Sequence, residues 1–366
     1  MKRQGYIYEK VCDIENIKEA IRRSAEKKRE HRSVKRILND MDKYALDIQA
    51  MLLAEHVELG NDRHMERREG PKQKVRQISV PCYYPDQIIH WCVMLPLQAI
   101  FTKGMYEYSV GNVPGRGGIY GKNYIEKALR NDRTIRHVFQ CDISKFYQSI
   151  NQDKLKWLLR KKIKDKRVIA LLDQIIDHGG ESGLPIGYYT SQWLGNFYLE
   201  EFDHYIKQEL KVKYYVRNVD DMLMLDTNKR KLHKVRKAVE EYFNQNGYGL
   251  TLKRNWQVYP IDSRPIDYLG FKFYRDHTEL RNYILYDMTR VIGRIERRGQ
   301  PTVRQARSAL SRMGWLHHIA NGKNYYLKYI KPKVKKGKLT KIVSEEDKHN
   351  GKNKKGIQYT GSTCNP

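Results

Sequence analysis

Tyr214-Tyr-Val-Arg-Asn-Val-Asp-Asp-Met-Leu-Met-Leu225 holds two short apolar runs, Tyr214 to Val216 and Met222 to Leu225, around a turn that carries the adjacent carboxylates Asp220 and Asp221. Apolar runs of that length joined by a short polar segment read as a β-hairpin. Asp is common in such turns for conformational reasons alone. The pair is therefore open to two readings, turn formers or the hard oxygen ligands that Mg²⁺ takes when it also holds substrate phosphates. The rest of the chain decides between them.

His137-Val-Phe-Gln-Cys-Asp142 is a second apolar strand with an acid at its end, running into Ile143-Ser-Lys-Phe-Tyr147. A lone strand-end Asp also serves as a helix cap. Nucleotide polymerisation asks for more than a cap, because a 3′ hydroxyl must attack an α-phosphate in line while two metal ions about 3.5 to 4 Å apart share the developing charge. Carboxylates from separate strands must converge to hold such ions. Asp142 and Asp220 meet that demand if their strands are neighbours in one sheet. Asp221, pointing away from its neighbour along an extended chain, would contribute less directly.

Outward from this pair, residues 13 to 56 read as helical from a cap at Asp13, with Arg22, Arg23, Lys27, Lys28 and Arg29 forming a basic face that is either solvated or set against nucleic acid. Lys72 to Pro81 reads as a strand and Pro85 to Phe101 as an apolar helix. The glycine-rich loop Val113 to Gly121 opens a helix at about Asn123; its spacing matches neither a P-loop nor a dinucleotide fingerprint. A second glycine-rich turn, Gly179 to Gly187, feeds a long helix from about Thr190 to Leu210. Beyond the hairpin come a helix at about Lys229 to Asn244, the segment Leu250 to Lys253, and Ile266 to Phe273, read as one strand with a glycine at its centre. Thr302 and Gln305 fit a capping box, with Val303, Ala306, Leu310 and Met313 on one helix face and Arg304, Ser308 and Arg312 on the other. Strands and helices interspersed with hairpins predict a mainly antiparallel sheet with packed helices, an α+β core.

The 366 residues carry 70 Lys and Arg against 42 Asp and Glu, a formal net charge of +28. An excess of that size repels itself unless an anionic partner neutralises it, which favours polyphosphate. No stretch approaches the roughly 20 apolar residues of a spanning helix, and Met1-Lys-Arg-Gln-Gly5 leads into polar sequence, so a cytoplasmic protein with no membrane partner is expected. Five scattered cysteines, Cys12, Cys82, Cys92, Cys141 and Cys364, read as small buried hydrophobes and not as a disulfide framework. His317 and His318 lack companion ligands for zinc.

Taken in order, Arg76-Gln-Ile, Pro114-Gly-Arg-Gly, Gln140-Cys-Asp-Ile-Ser-Lys-Phe-Tyr-Gln-Ser-Ile150, Gly183-Leu-Pro-Ile-Gly-Tyr-Tyr-Thr-Ser-Gln192, Asn218-Val-Asp-Asp221 and Tyr268-Leu-Gly270 resemble the successive motifs of reverse transcriptases, over roughly residues 15 to 330. Ile186 to Gln192 and Asn255-Trp-Gln-Val-Tyr-Pro260 look most like the prokaryotic enzymes of diversity-generating retroelements and the related abortive-infection and defence-associated groups.

The resemblance implies a right-hand polymerase: a basic helical extension over 1–70, fingers and palm over 71–278, a helical thumb over 279–330 and a basic tail over 331–366, whose Lys- and Gly-rich composition with few apolar residues predicts no order past about Ser344. It implies RNA-directed DNA synthesis on a dedicated noncoding RNA, in a diversity-generating element or in antiphage defence, with two Mg²⁺ ions and dNTP substrates. Asp142, Asp220 and Asp221 would be the catalytic metal ligands. Lys74 (or Lys72), Arg76, Tyr147, Ile186, Gly187, Gln192 and Lys253 would bind the incoming nucleotide, Tyr147 as a steric gate against a 2′ hydroxyl and Lys253 as a proton donor to pyrophosphate. Tyr268, Leu269 and Gly270 would grip the primer, while Arg116, Arg304 and Arg312 would contact the nucleic acid. Expected partners are the cognate RNA, the RNA/DNA duplex, an accessory protein, and a separate nuclease or RNase H. Two departures from the family pattern stand out: Ile186 where many members have Gln, and Asn218 where Tyr or Phe is usual. A degenerate polymerase kept as an RNA-binding scaffold is the competing reading.

Overall fold

Asp13 does cap a helix: its carboxylate accepts from the backbone amides of Glu15 and Asn16, both at 3.0 Å, and starts Ile14–Ser24. The computed structural model describes residues 5–70 and 73–352, so Lys72 and Cys364 lie outside the described residues. It divides into two units, Met1–Ser263 and Arg264–Pro366.

In the first unit the expected run over 13 to 56 is three helices, Ile14–Ser24, Arg32–Asn39 and Met41–Leu53. A two-stranded sheet follows, with β1 (Arg63–Glu69) antiparallel to β2 (Lys74–Val80). β1 is Arg-His-Met-Glu-Arg-Arg-Glu; almost wholly polar, it carries no alternation for a pattern to detect. The apolar helix runs from Ile88 to Gly104, and the glycine-rich loop opens its helix at Gly118, earlier than the Asn123 expected.

The central sheet holds β3 (His137–Asp142), β4 (Tyr214–Asn218), β5 (Asp221–Asp226) and β6 (Gln257–Pro260) in the order β4-β5-β3-β6, every pair antiparallel. Val138, Phe139 and the whole run Met222 to Leu225 are buried, as continuous apolar strands covered on both faces should be. One cover is the helix Lys229–Gln245, capped by Asn228, which turns Leu232, Val235, Val239 and Phe243 inward at helical spacing. The helix expected over 190 to 210 is two, Tyr189–Tyr198 and Glu200–Gln208.

The second unit begins with a three-stranded antiparallel sheet, β7 (Ile266–Tyr268), β8 (Phe271–Phe273) and β9 (Thr278–Leu280). The single strand expected over 266 to 273 is thus a hairpin. Leu269 and Gly270 form its turn at φ of 53° and 88°, a conformation natural to Gly and rare for Leu. Helices Asn282–Arg298 and Val303–Gly314 follow, the second with the expected Thr302/Gln305 capping box. Lys336–Lys352 is helical, where composition predicts no order past Ser344. Among the described residues no helix is long and apolar enough to cross a membrane. Cys12, Cys92 and Cys141 are buried as expected, whereas Cys82 is exposed.

Candidate active site

The hairpin between β4 and β5 is as tight as a hairpin can be. Asn218 pairs with Asp221, so the loop is two residues, Val219 and Asp220. Two-residue hairpins need positive φ at one or both loop positions, and here Val219 supplies it at 60°. A β-branched residue in that region is a genuine outlier.

What holds Val219 there is a buried guanidinium. Arg217, fully enclosed, donates from Nε and Nη2 to the two carboxylate oxygens of Asp203, at 2.8 and 2.6 Å. Its Nη1 donates to Asn196 Oδ1 at 3.1 Å and to the Val219 carbonyl at 2.9 Å. Tyr215 donates its hydroxyl to the same Asp203 at 2.7 Å, and Asn196 donates to the Gly111 carbonyl at 2.5 Å. A bidentate, fully desolvated pair of this kind fixes direction as well as charge. It clamps the hairpin tip from below. None of Arg217, Asp203 and Asn196 was foreseen; the available signal was an Arg in the middle of an apolar strand, which folding tolerates only with a buried acid to meet it.

The tip lies over the end of β3. Asp142 is in register with Asp221, and the amide of Ile143 donates to the Asp220 carbonyl at 3.0 Å. The expected neighbourhood of the two acid-bearing strands is therefore present. Asp142 and Asp220 face each other closely enough that burial, reinforced by the Asp142 charge, pushes the Asp220 carboxyl up to about 6. Lys253 donates its ammonium to Asp142 Oδ1 and its amide to the Asp142 carbonyl, the latter at 2.8 Å. Asp221 belongs to the strand and not to the tip. Among the described residues no three His, Cys, Asp or Glu side chains form a group that could hold a metal ion.

Asp142 and Asp220 offer hard oxygen donors side by side, with the Lys253 ammonium on Asp142 as partial counter-charge. The pair fits a divalent ion held jointly with phosphate.

Tyr147 is partly buried beside this pair: burial first, then the Asp220 charge, pushes its hydroxyl up to about 12, while Arg76 and Asn112 act in the other direction. Its ring packs on Gly195, where an added Cβ would stand 3.0 Å from Cε1. Arg76 on β2 therefore faces the site, with exposed Lys74 two residues away on the same strand face. The Leu184-Pro-Ile-Gly187 segment is docked on β2. Ser79 donates its amide to the Ile186 carbonyl at 2.8 Å, and Gly187, at φ 126°, leaves no room for a Cβ against the Ser79 carbonyl. Gln192, Arg116 and Asn218 line a groove of about 390 Å³ under the glycine-rich loop, where Arg116 donates to the Tyr106 carbonyl at 2.7 Å.

In the second unit Tyr268 and Gly270 are buried, and an added Cβ on Gly270 would stand 3.2 Å from Ile284. Arg312 pairs with Asp287 at 2.8 Å and serves helix packing there, whereas Arg304 is exposed.

Residues 66–273, more than half of the chain, match the model of the family described as reverse transcriptase (RNA-dependent DNA polymerase). The chain belongs to the reverse transcriptase family. Protein YkfC of Escherichia coli (strain K12) is 24% identical to this reverse transcriptase over 146 residues, 37% of the chain and 38% of that protein. The chain thus matches well under half the length of that curated relative. Among solved structures, apo telomerase from Candida tropicalis truncated from its C-terminal domain is 15% identical with a TM-score of 0.47, over 61% of this chain and 55% of that one. Telomerase from Candida albicans in complex with a TWJ fragment of telomeric RNA is 13% identical with a TM-score of 0.46, over 66% and 51%. Likeness at that level says nothing of substrate.

Proposed function

We propose that this reverse transcriptase copies a dedicated noncoding RNA into DNA by two-metal nucleotidyl transfer. The observation that carries the reading is the convergence of Asp142 and Asp220 at the tip of a hairpin held in strain by Arg217. A chain kept only as an RNA-binding scaffold has no use for two half-buried carboxylates side by side, whose burial and repulsion cost stability that the single Lys253 ammonium offsets only in part.

Divalent ions held by Asp142 and Asp220 would lower the pKa of the attacking 3′ hydroxyl and neutralise charge on the phosphoryl oxygens. The remaining steps belong to this chain. Asp220, whose carboxyl burial and the Asp142 charge push up to about 6, is ionised above that pH and then offers its oxygens beside those of Asp142. Tyr147, fixed on Gly195, lies under the sugar and leaves no space for a 2′ hydroxyl. Arg76 and Lys74 orient the triphosphate, for which a guanidinium fork is the better geometric match. Lys253 stands at the Asp142 carboxylate, placed to pass a proton to departing pyrophosphate. Tyr268, Leu269 and Gly270 would grip the primer, with Arg304 along the duplex. The form of the Ile186 to Gln192 segment favours a diversity-generating or antiphage setting.

The test is primer extension on an RNA template with Mg²⁺ and dNTPs, comparing the native chain with Asp220→Ala and Asp221→Ala. Loss of incorporation in Asp220→Ala is expected, with a smaller loss in Asp221→Ala. Equal incorporation by all three would end the polymerase reading. Sequencing the nucleic acid that copurifies would identify the template.

A further inference from the structure

Behind the segment Ile186 to Gln192, on the side of the N-terminal helices, is a cavity of about 440 Å³, within the size range of small-ligand pockets. Its lining joins two parts of the first unit. The end of the helix Ile14–Ser24 and the turn after it contribute Arg23, Glu26, Lys27 and Lys28, while the helix Ile88–Gly104 contributes His90 and Trp91 and the helix Tyr189–Tyr198 contributes Gln192.

Three properties of this cavity point to a ligand. His90 is 1% exposed, it lines the cavity, and neither ring nitrogen has a hydrogen-bond partner. A buried imidazole with both nitrogens unsatisfied costs free energy that a ligand with donor and acceptor groups would recover. The wall beside it is a stacked pair, Trp91 against Tyr189, with centroids 3.7 Å apart and planes 11° from parallel; Gln98 donates to the Tyr189 hydroxyl at 2.7 Å and steadies it. The mouth is cationic on balance, three basic residues against Glu26: Lys27 is itself a turn residue at φ 63°, and Lys28 reaches across to Gln87. Arg23 is tied to Glu19 at 2.7 Å, which leaves the two lysines as the cations best placed to meet an anion.

A flat aromatic wall, a buried imidazole with unmet hydrogen-bonding capacity, the exposed primary amide of Gln192 and ammonium groups at the rim are the chemistry that receives a base and its phosphate. We infer that this cavity takes one unstacked ribonucleotide of the bound RNA strand, base inward against Trp91 and His90, phosphate at Lys27 and Lys28. The inference rests on the RNA-copying reading above. It adds a site outside the catalytic residues, one that ties the N-terminal helices to the segment beside the incoming nucleotide.

The test uses the full chain and a short single-stranded RNA carrying 4-thiouridine, irradiated and digested, with crosslinked peptides identified by mass spectrometry. The expected result is a crosslink within residues 80–98, at or beside Trp91, that falls about tenfold in Lys27→Glu/Lys28→Glu, where carboxylates replace the two ammonium groups that meet the phosphate. Both lysines are exposed, so that variant keeps its fold; His90→Phe, which fills the base site, should lower the same crosslink while leaving others in place. Crosslinks confined to other segments would overturn the inference while RNA binding and primer extension persist, which separates its failure from failure of the polymerase reading. Displacement by AMP at concentrations comparable with the oligonucleotide would assign the cavity to a free nucleotide and likewise overturn the strand assignment.

Discussion

Asp220→Asn should make the protein more stable and inactive at once, with the gain in stability depending on pH. The Asp220 carboxyl is pushed from an ordinary 3.8 up to about 6, by burial and then by the Asp142 charge. Between those values the folded protein holds a proton that the unfolded chain has released, so stability falls as pH rises and the full cost is present above pH 6. At about 1.36 kcal/mol per unit the shift amounts to about 3 kcal/mol. A neutral amide removes that cost. For the unit Met1–Ser263, with an unfolding entropy of about 2.1 cal/mol/K per residue, this corresponds to a rise in Tm of about 5 °C at pH 8 in EDTA. Near pH 5 the difference should shrink to about half, because the native carboxyl is by then mostly protonated. Differential scanning fluorimetry from pH 5 to 8 reads both numbers. With Mg²⁺ the native chain should gain Tm above pH 6 and the Asn variant should not, since only the native pair needs the counter-charge. An Asn variant less stable than the native chain at pH 8, or a difference that does not shrink on acidification, would refute the view that these two carboxylates are held together against repulsion.

Arg217→Met should cost about 3 to 5 kcal/mol in urea unfolding, because Asp203 is then buried without its counter-ion, and Arg217→Met/Asp203→Leu should recover part of that loss. Gly187→Ala should destabilise by about 2 kcal/mol, since the new Cβ must push the segment off Ser79 from an unfavourable φ; the KM for dNTP should rise with it. Ile186→Gln restores a hydrogen-bonding amide beside the incoming nucleotide, and misincorporation measured by sequencing the product should fall; unchanged error rates would remove Ile186 from the account of base selection.

The site was legible where local pattern and chemistry coincide. β5 is a continuous apolar run between two acids and β3 a mostly apolar strand ending in one, and a strand buried on both faces announces itself by such a run. The docking of Ile186-Gly187 on β2 was legible as two motifs but not as a contact, because a backbone bond from Ser79 leaves no trace in side-chain type. β1 was missed because an almost wholly polar strand has no period to read. The turn at Leu269 was missed because Leu so rarely takes positive φ that the glycine beside it read as the interruption of a strand.

The deepest omission explains the rest of the site. Val219 at φ 60° opposes local preference, at a cost of about 1 to 3 kcal/mol, and besides the Asn218–Asp221 pairing that closes the turn its carbonyl is held by the Arg217 guanidinium. Arg217 in turn is tolerable in the core only because Asp203, on the helix Glu200–Gln208, meets it with both oxygens. The position of Asp220 over Asp142 is therefore set partly by the Ile143 amide on its own carbonyl and partly by Arg217, a residue of β4 that Asp203 holds from a different element. Asn218, where the family usually has an aromatic, fits this arrangement. The clamp acts from below through Arg217 and Asn196, so the residue before the turn need not brace the tip; its side chain lies instead against Gly111, where an added Cβ would stand 2.9 Å from Asn218 Oδ1, and lines the groove beneath the glycine-rich loop.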